Sequence, residues 1–420
     1  FLGTTSRGYR NAVATLSGQT GSIFRFFVAG QHNYLRNRDA VFNEPFSFGE
    51  SEGEEVFITD DGLSGRPEGE LLPGPIAFKK NFLPENTFQN NQIQGTLVYN
   101  MSTALKFRLT GSFDHSVWPN GKSSFFSALN NYFSQVETET SRDRMLLGLK
   151  ATHLINPTTF YEVNVNYTNQ SAETVDPFFG DEFLKYPDRR EWAAAGRDTS
   201  DWLGTFVGPL PHSIILDFPL THRNSPINGF NKNSTNSIGG SLDFTSQMTS
   251  NFELKVGGRF DRYTYRSYTM NNIRNYLRTL YPDEVNERQF ESDFVKRVEL
   301  SRAGVINNIG YDYTGQSKID DGVQGPRNPF FGSAYLQTKF EYRDLILNMG
   351  LRYERIDMAE YRPENVEEPD RDTKNNWLTE ETLVKTDPFD FLLPRVNLAF
   401  PVTDNTVFYA QYGRYVQMPG

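Results

Sequence analysis

The chain has 420 residues, a formal net charge of −10, no cysteine, 37% hydrophobic residues and 14% aromatic ones. No stretch approaches the ~18 consecutive apolar residues of a membrane-crossing helix. The missing cysteines exclude disulfides and thiolate metal sites, and an acidic balance without a basic stripe argues against a nucleic-acid binder.

Taken in chain order, the sequence alternates between apolar and polar residues, with a period of two. Successive strand side chains point to opposite faces, so this period marks a strand with unlike faces. A first turn is expected near Gly18 to Ser22 and a second at Asn100 to Thr103. From Ala104 to Asp114, Leu105, Phe107, Leu109, Gly111 and Phe113 share one face, and Lys106, Arg108, Thr110, Ser112 and Asp114 the other. A turn at Ile155 to Thr158 leads to Tyr161, Val163, Val165 and Tyr167, alternating with Glu162, Asn164, Asn166 and Thr168. Another at Thr249 to Asn251 leads to Phe252, Leu254, Val256, Gly258 and Phe260, alternating with Glu253, Lys255, Gly257, Arg259 and Asp261. The runs Ala334 to Tyr342 and Leu345 to Glu354 repeat the pattern around Arg343 and Asp344, and a last turn falls at Thr403 to Asn405.

Between these short turns, rich in Asn, Asp, Ser, Gly and Pro, the connections are long. They run from Asn33 to Asn90, Trp118 to Thr140, Ala172 to Lys232, Thr269 to Phe331 and Ala359 to Phe391, well beyond ordinary loop lengths. The reading is all-β: about twelve antiparallel strands in about six hairpins, an up-and-down sheet with its long loops on one rim, as in an outer-membrane barrel. Helix-like patches fall only inside the loops, at Asp181 to Ala195 and Asn271 to Leu280.

A polar face carrying full charges suits a wet lumen, and the opposite apolar face suits lipid. The lumen-facing candidates are Lys106, Arg108, Arg144, Lys150, Lys255, Arg259, Lys339, Arg352 and Arg395. Their ordinary role is to solvate the lumen and pair with carboxylates, and their functional role would be contact with a ligand path. Tyr99, Trp118, Tyr161, Tyr263, Tyr265, Tyr268, Tyr342, Tyr353, Phe400 and Tyr415 lie near strand ends, where aromatic girdles form at the two lipid boundaries.

Little else carries chemistry. His32, His115, His153, His212 and His222 lack metal-ligand spacing. Gly49-Glu50-Ser51-Glu52-Gly53 fits a nucleophile elbow only in letters, because no strand and helix flank it. Ile58 to Gly65 and Ile319 to Gly325 share an Asp-Asp-Gly pattern, foremost a turn signal. The acidic runs Glu50 to Glu55 and Glu364 to Asp372 read as solvated loops. No catalytic residue, metal or cofactor is expected, so an enzyme is not.

Several segments resemble one family. The stretch from Leu393-Pro394-Arg395 through Phe408-Tyr409-Ala410-Gln411-Tyr412-Gly413-Arg414-Tyr415 is similar to the closing strands of TonB-dependent receptor barrels. Phe331 to Gln337, Met349 to Glu354 and Val256 to Asp261 look like strands of the same family. Thr15-Leu16-Ser17-Gly18 with Ile23 to Gly30 resembles its Oar-like group, whose members carry a carboxypeptidase-regulatory-like domain before the plug. The resemblance implies a barrel of about 22 strands around a plug, in the cell outer membrane, with outer-membrane lipid, the TonB complex and an unknown small ligand as partners. The chain starts at Phe1 and closes at Gly420. Residues 1–420 are therefore expected to be one partial barrel section, with the plug, TonB box and N-terminal domain outside it and the sheet left open. The function implied is active uptake of a scarce ligand, and the alternative is a passive porin-like channel.

Overall fold

In a computed structural model of the chain, residues 8–38, 86–120, 138–200, 202–209, 225–371, 378, 380–403 and 405–416 are described, with the backbone of six short strand segments between 46 and 78 and between 213 and 220. One sheet of 13 strands dominates. Its members are β1 (Arg10–Thr20), β2 (Phe24–Leu35), β3 (Phe88–Asn100), β4 (Leu105–Pro119), β5 (Glu139–Asn156), β6 (Thr159–Val175), β7 (Phe230–Thr249), β8 (Phe252–Met270), β9 (Ile306–Ile309), β10 (Phe330–Tyr342), β11 (Leu345–Asp357), β12 (Phe389–Thr403) and β13 (Thr406–Gly413). Every strand is hydrogen-bonded to its neighbour in sequence, except that the short β9 hangs off the end of β8 and β10 continues the main path. The expected twelve-strand meander is therefore present, with β9 as an addition built from a loop.

All main-path pairings are antiparallel, so short and long connections alternate between rims. The six short turns lie on one rim and the five long connections on the other. Among the described residues β1 and β13 each pair on one side only, so the sheet is open rather than closed into a barrel. Strands such as β7, with 20 residues, and β8, with 19, exceed the ~9–11 residues that cross a bilayer. They stand well clear of it.

Register gives the two faces. Directly opposed residues share a face. One row links Leu97, Leu109, Leu149, Val165, Gly240 and Phe260 across six strands. The next residues along form a second row of Val98, Arg108, Lys150, Asn164, Ser241, Arg259, Ser333 and Glu354. The first face is apolar and uncovered, with exposure of 39% at Leu97, 47% at Leu109 and 52% at Leu242. Such a surface is stable only against lipid.

Side-chain burial is concentrated elsewhere, at the long-loop rim. Phe183, Tyr186, Phe206, Phe230, Tyr268, Met270, Ile273, Tyr276, Leu277, Leu300 and Tyr311 form one core cluster. It joins the loops 176–229 and 271–329 to the protruding ends of β7 and β8. Phe183 stacks on Phe230 with ring centroids 4.4 Å apart. Three short helices frame it: α1 (Arg189–Ala194), α2 (Ile273–Leu280) and α3 (Asp293–Gly304). Their caps are Asp188, Asn272 and Ser292, whose side chains accept the backbone N–H of Arg190, Asn275 and Val295, as helix starts require. The patches expected at 181–195 and 271–280 contain α1 and α2, whereas α3 lies in a stretch expected to be plain loop.

The loops are cross-tied. Ile273 N–H donates to Asn228 O at 3.1 Å, and Thr205 Oγ donates to Glu284 Oε2 at 2.8 Å. Arg297 pairs with Glu380, Gln324 Nε2 donates to Glu380 at 2.7 Å, and Arg327 pairs with Glu360 at 3.1 Å. The loop 358–388 is thus fastened to the same cap. In the 319–325 loop Gly322 has φ +72°, which marks a turn. Asp320 takes the Arg266 guanidinium.

Candidate functional site

All nine expected cations share the charged face by register. Lys106 opposes Thr152, Arg108 opposes Lys150, and Arg144 opposes Gln170. The row through Asn164 and Ser241 carries that face to Arg259. From there Lys255 opposes Gln337, Lys339 opposes Glu253, Arg352 opposes Tyr335 and Arg395 opposes Gly350. They are spread over six strands and do not converge on one point.

Their partners differ by region. On β8 to β11 each cation has an acid two residues along its own strand. Lys255 pairs with Glu253 at 3.1 Å, Arg259 with Asp261 at 2.6 Å and Arg352 with Glu354 at 2.6 Å, and Lys339 pairs with Glu341. Arg352 Nη2 also donates to Ser333 Oγ at 3.0 Å. Arg259 and Arg352 border a recess of about 440 Å³ with Asp261, Tyr263, Ser333 and Glu354. Beside it, Tyr335 donates to Asp243 at 2.7 Å. Its ring lies where a Cβ on Gly257 would meet it at 2.5 Å, so glycine lets this phenol cross a strand flat on the sheet.

Of the expected cations on β4 and β5 only Lys150 is ion-paired, with Glu162 at 2.8 Å. Among the described residues Lys106, Arg108 and Arg144 have no ion pair. Arg395 instead lies over the Tyr415 ring at 4.5 Å.

The aromatic residues divide. Tyr99, Tyr161, Tyr342, Tyr353 and Phe400 fall on the apolar face by register. At the short-turn rim Phe24, Tyr99 and Phe107 form a stacked row, with centroids 4.7 and 6.3 Å apart. Trp118, Tyr263 and Tyr265 take the charged face instead, Tyr415 packs on Arg395 of that face, and Tyr268 is wholly buried in the cap. The expected girdle is therefore only partly a lipid-boundary feature, because strand ends above the membrane use aromatics to pack loops.

Among the described residues no group of three or more His, Asp or Glu could hold a metal. His115 Nδ1 sits 2.7 Å from Asp143 Oδ1, and His32 Nδ1 sits 2.8 Å from Asn91 Oδ1, both pairings across strands. His212, His222, the Gly49 to Gly53 motif and the Ile58 to Gly65 loop lie outside the described residues.

Residues 214–420 match the family described as TonB dependent receptor-like, beta-barrel. The chain belongs to the TonB-dependent receptors. It is an outer-membrane β-barrel section, and the apolar face is its lipid face. Among solved structures it is similar to the FrpB iron transporter from Neisseria meningitidis (F3-3 variant), at 10% identity and a TM-score of 0.45 over 96% of this chain and 44% of that one. The copper transporter OprC gives 13% and 0.42 over 96% and 44%, and the siderophore receptor PiuA from Acinetobacter baumannii 10% and 0.41 over 96% and 47%. The chain spans less than half the length of these structures. No curated protein sequence matches it.

In this receptor section sequence reasoning missed Arg142. It opposes Ser116 and shares the charged face with Arg144, with its guanidinium over the Trp118 ring at 5.1 Å. Parity with Arg144 was the signal that could have found it.

Proposed function

We propose that the chain is one wall section and part of the outer loop cap of a TonB-dependent active transporter that takes up a scarce small ligand. The observation that carries this is the single meander of twelve strands, with a lipid-ready face, a charged face and every long loop on one rim, in a chain whose second half matches the receptor-barrel family. In the complete receptor the charged face lines the lumen, and Lys106, Arg108, Arg144, Lys150, Lys255, Arg259, Lys339, Arg352 and Arg395 face the plug or the ligand path. The plug and TonB box do the coupling, and residues 1–420 supply wall and loops only. The opening hairpin, with Thr15 to Gly18 and Ile23 to Gly30, supports a place in the Oar-like group.

The test is ionic conductance of the purified full-length protein in planar lipid bilayers. A plugged transporter gives no steady conductance until denaturant displaces the plug. Steady open steps without denaturant would reject active transport in favour of a passive channel.

A further inference from the structure

The charged face is not electrically uniform. From β8 to β11 the cations Lys255, Arg259, Lys339 and Arg352 are each matched by a carboxylate on the same strand. On β4 and β5 the same face carries Lys106, Arg108, Arg142, Arg144 and Lys150 against Asp114, and of these five cations only Lys150 has an ion pair, with Glu162 of the next strand. Cation excess on a low-dielectric wall attracts anions to that strip.

The excess is sharpest near the long-loop rim. Arg144 lies directly opposite Asp114, yet the two form no ion pair. The Asp114 oxygens instead accept from Asn90 Nδ2 and from Ser116 Oγ at 3.2 Å. Arg142 has a buried Nε with no partner, and its guanidinium lies over the Trp118 ring, 5.1 Å from the centroid. Two residues apart on one strand face, the two guanidinium groups stem from points about 7 Å apart. Arg144 borders a recess of about 640 Å³ whose other polar walls include Gln92, Ser112, Asp114, Thr168 and Gln170. Amides and hydroxyls can serve an oxyanion as donors, while fixed guanidinium forks recognise carboxylate and phosphate oxygens bidentately.

We propose that Arg144 and the recess it borders, with Arg142 two residues away on the same strand face, form a subsite for a small multivalent oxyanion, the carboxylate- or phosphate-bearing part of the ligand that crosses this wall. The assignment rests on the transporter reading above and narrows its ligand to an anionic class. Asp114 lines the same recess, and its oxygens accept from Asn90 and Ser116 rather than from either guanidinium.

Calorimetric titration of the full-length receptor in detergent at low salt tests this, with citrate as probe, inorganic phosphate as a second anion and trehalose as a neutral control. Saturable citrate binding is expected, weakened by about tenfold for each guanidinium removed in Arg142→Gln and Arg144→Gln, in line with the strength of charge-assisted hydrogen bonds. Arg144→Lys, which keeps the charge but not the fork, should weaken binding less than Arg144→Gln does, and Lys296→Gln in the loop cap should not change it. Phosphate binding without citrate binding would also support the site and assign it to phosphate groups. Citrate binding that is equal in the wild type and the double Gln variant, trehalose binding as tight as citrate, or no anion binding at all, would overturn it. A heat-modifiable gel shift identical to that of the wild type shows that a variant has folded; if the double Gln variant fails this check, the single variants decide. A receptor that is closed in bilayers but binds neither anion loses this subsite and keeps the transporter reading.

Discussion

The strand wall and the loop cap of this receptor section are held together by different forces. The wall satisfies its backbone through a continuous antiparallel ladder, and its large apolar side chains, among them Leu109, Leu149, Leu242 and Leu336, are exposed. The cap is the reverse: short helices and irregular chain around Phe183, Tyr186, Tyr268, Ile273 and Leu300, all almost completely buried. The wall therefore needs lipid to hide its apolar face, whereas the cap folds by side-chain burial as a soluble domain does. The same β7 and β8 serve both regimes, with Leu242 and Phe260 exposed on the apolar face and Phe230 and Met270 in the cap core.

Substitutions can break the contrast. The largest effect is expected at Phe183→Ala, which removes a stacked ring from the centre of the cap and should cost about 3–5 kcal/mol of local stability. Hydrogen exchange on the full-length receptor should then show 271–329 losing protection while β4 to β6 keep theirs. Leu149→Arg places a charge in the apolar band and should cost about 2–4 kcal/mol, measured by denaturant titration in lipid vesicles. That loss should vanish in detergent, where the cap variant remains impaired. Gly257→Val drives a branched side chain into the Tyr335 ring and should cost about 1–3 kcal/mol, visible as a lower unfolding midpoint in either medium.

Much of the wall was legible because lipid and water impose opposite demands on the two sides of each strand. That is why Leu105 to Phe113 and Lys106 to Asp114 separate so cleanly, and why the six short connections fall within a few residues of their expected places. The cap was not legible in this way. Its core residues come from loop segments and strand ends far apart in sequence, and no local period links Phe183 to Tyr268 or Tyr311. Helix α2 could be read because Ile273, Tyr276, Leu277 and Leu280 recur at helical spacing. Helix α3 could not, since it buries only Leu300 and Gly304 and is otherwise polar or partly exposed. For the site, each of the nine cations has at least one apolar or glycine neighbour in sequence. Arg142 has none, since it sits between Ser141 and Asp143, where both faces are polar.

The smallest expected effect is on pH dependence in the cap. Burial holds the Asp176 carboxyl above its usual range, against the opposing hydrogen bonds from Phe178 and Phe179 N–H and the charge of Arg197. A carboxylate with a raised folded pKa stabilises most below its ordinary unfolded value of about 4 and loses that contribution as pH rises through the folded value. Cap protection, corrected for intrinsic exchange, should therefore weaken slightly as pH rises above that range. Asp176→Asn should remove the step.

The central claim is that successive residues of each strand face lipid and water in turn. The chain contains no Cys, so single cysteines placed in it at 106 to 111 in the full-length receptor can each carry a spin label in outer-membrane vesicles. Collision rates with oxygen and with a water-soluble nickel chelate should alternate residue by residue, with positions 107, 109 and 111 favouring oxygen and 106, 108 and 110 the chelate. A smooth profile, or one with a helical period, would contradict the account.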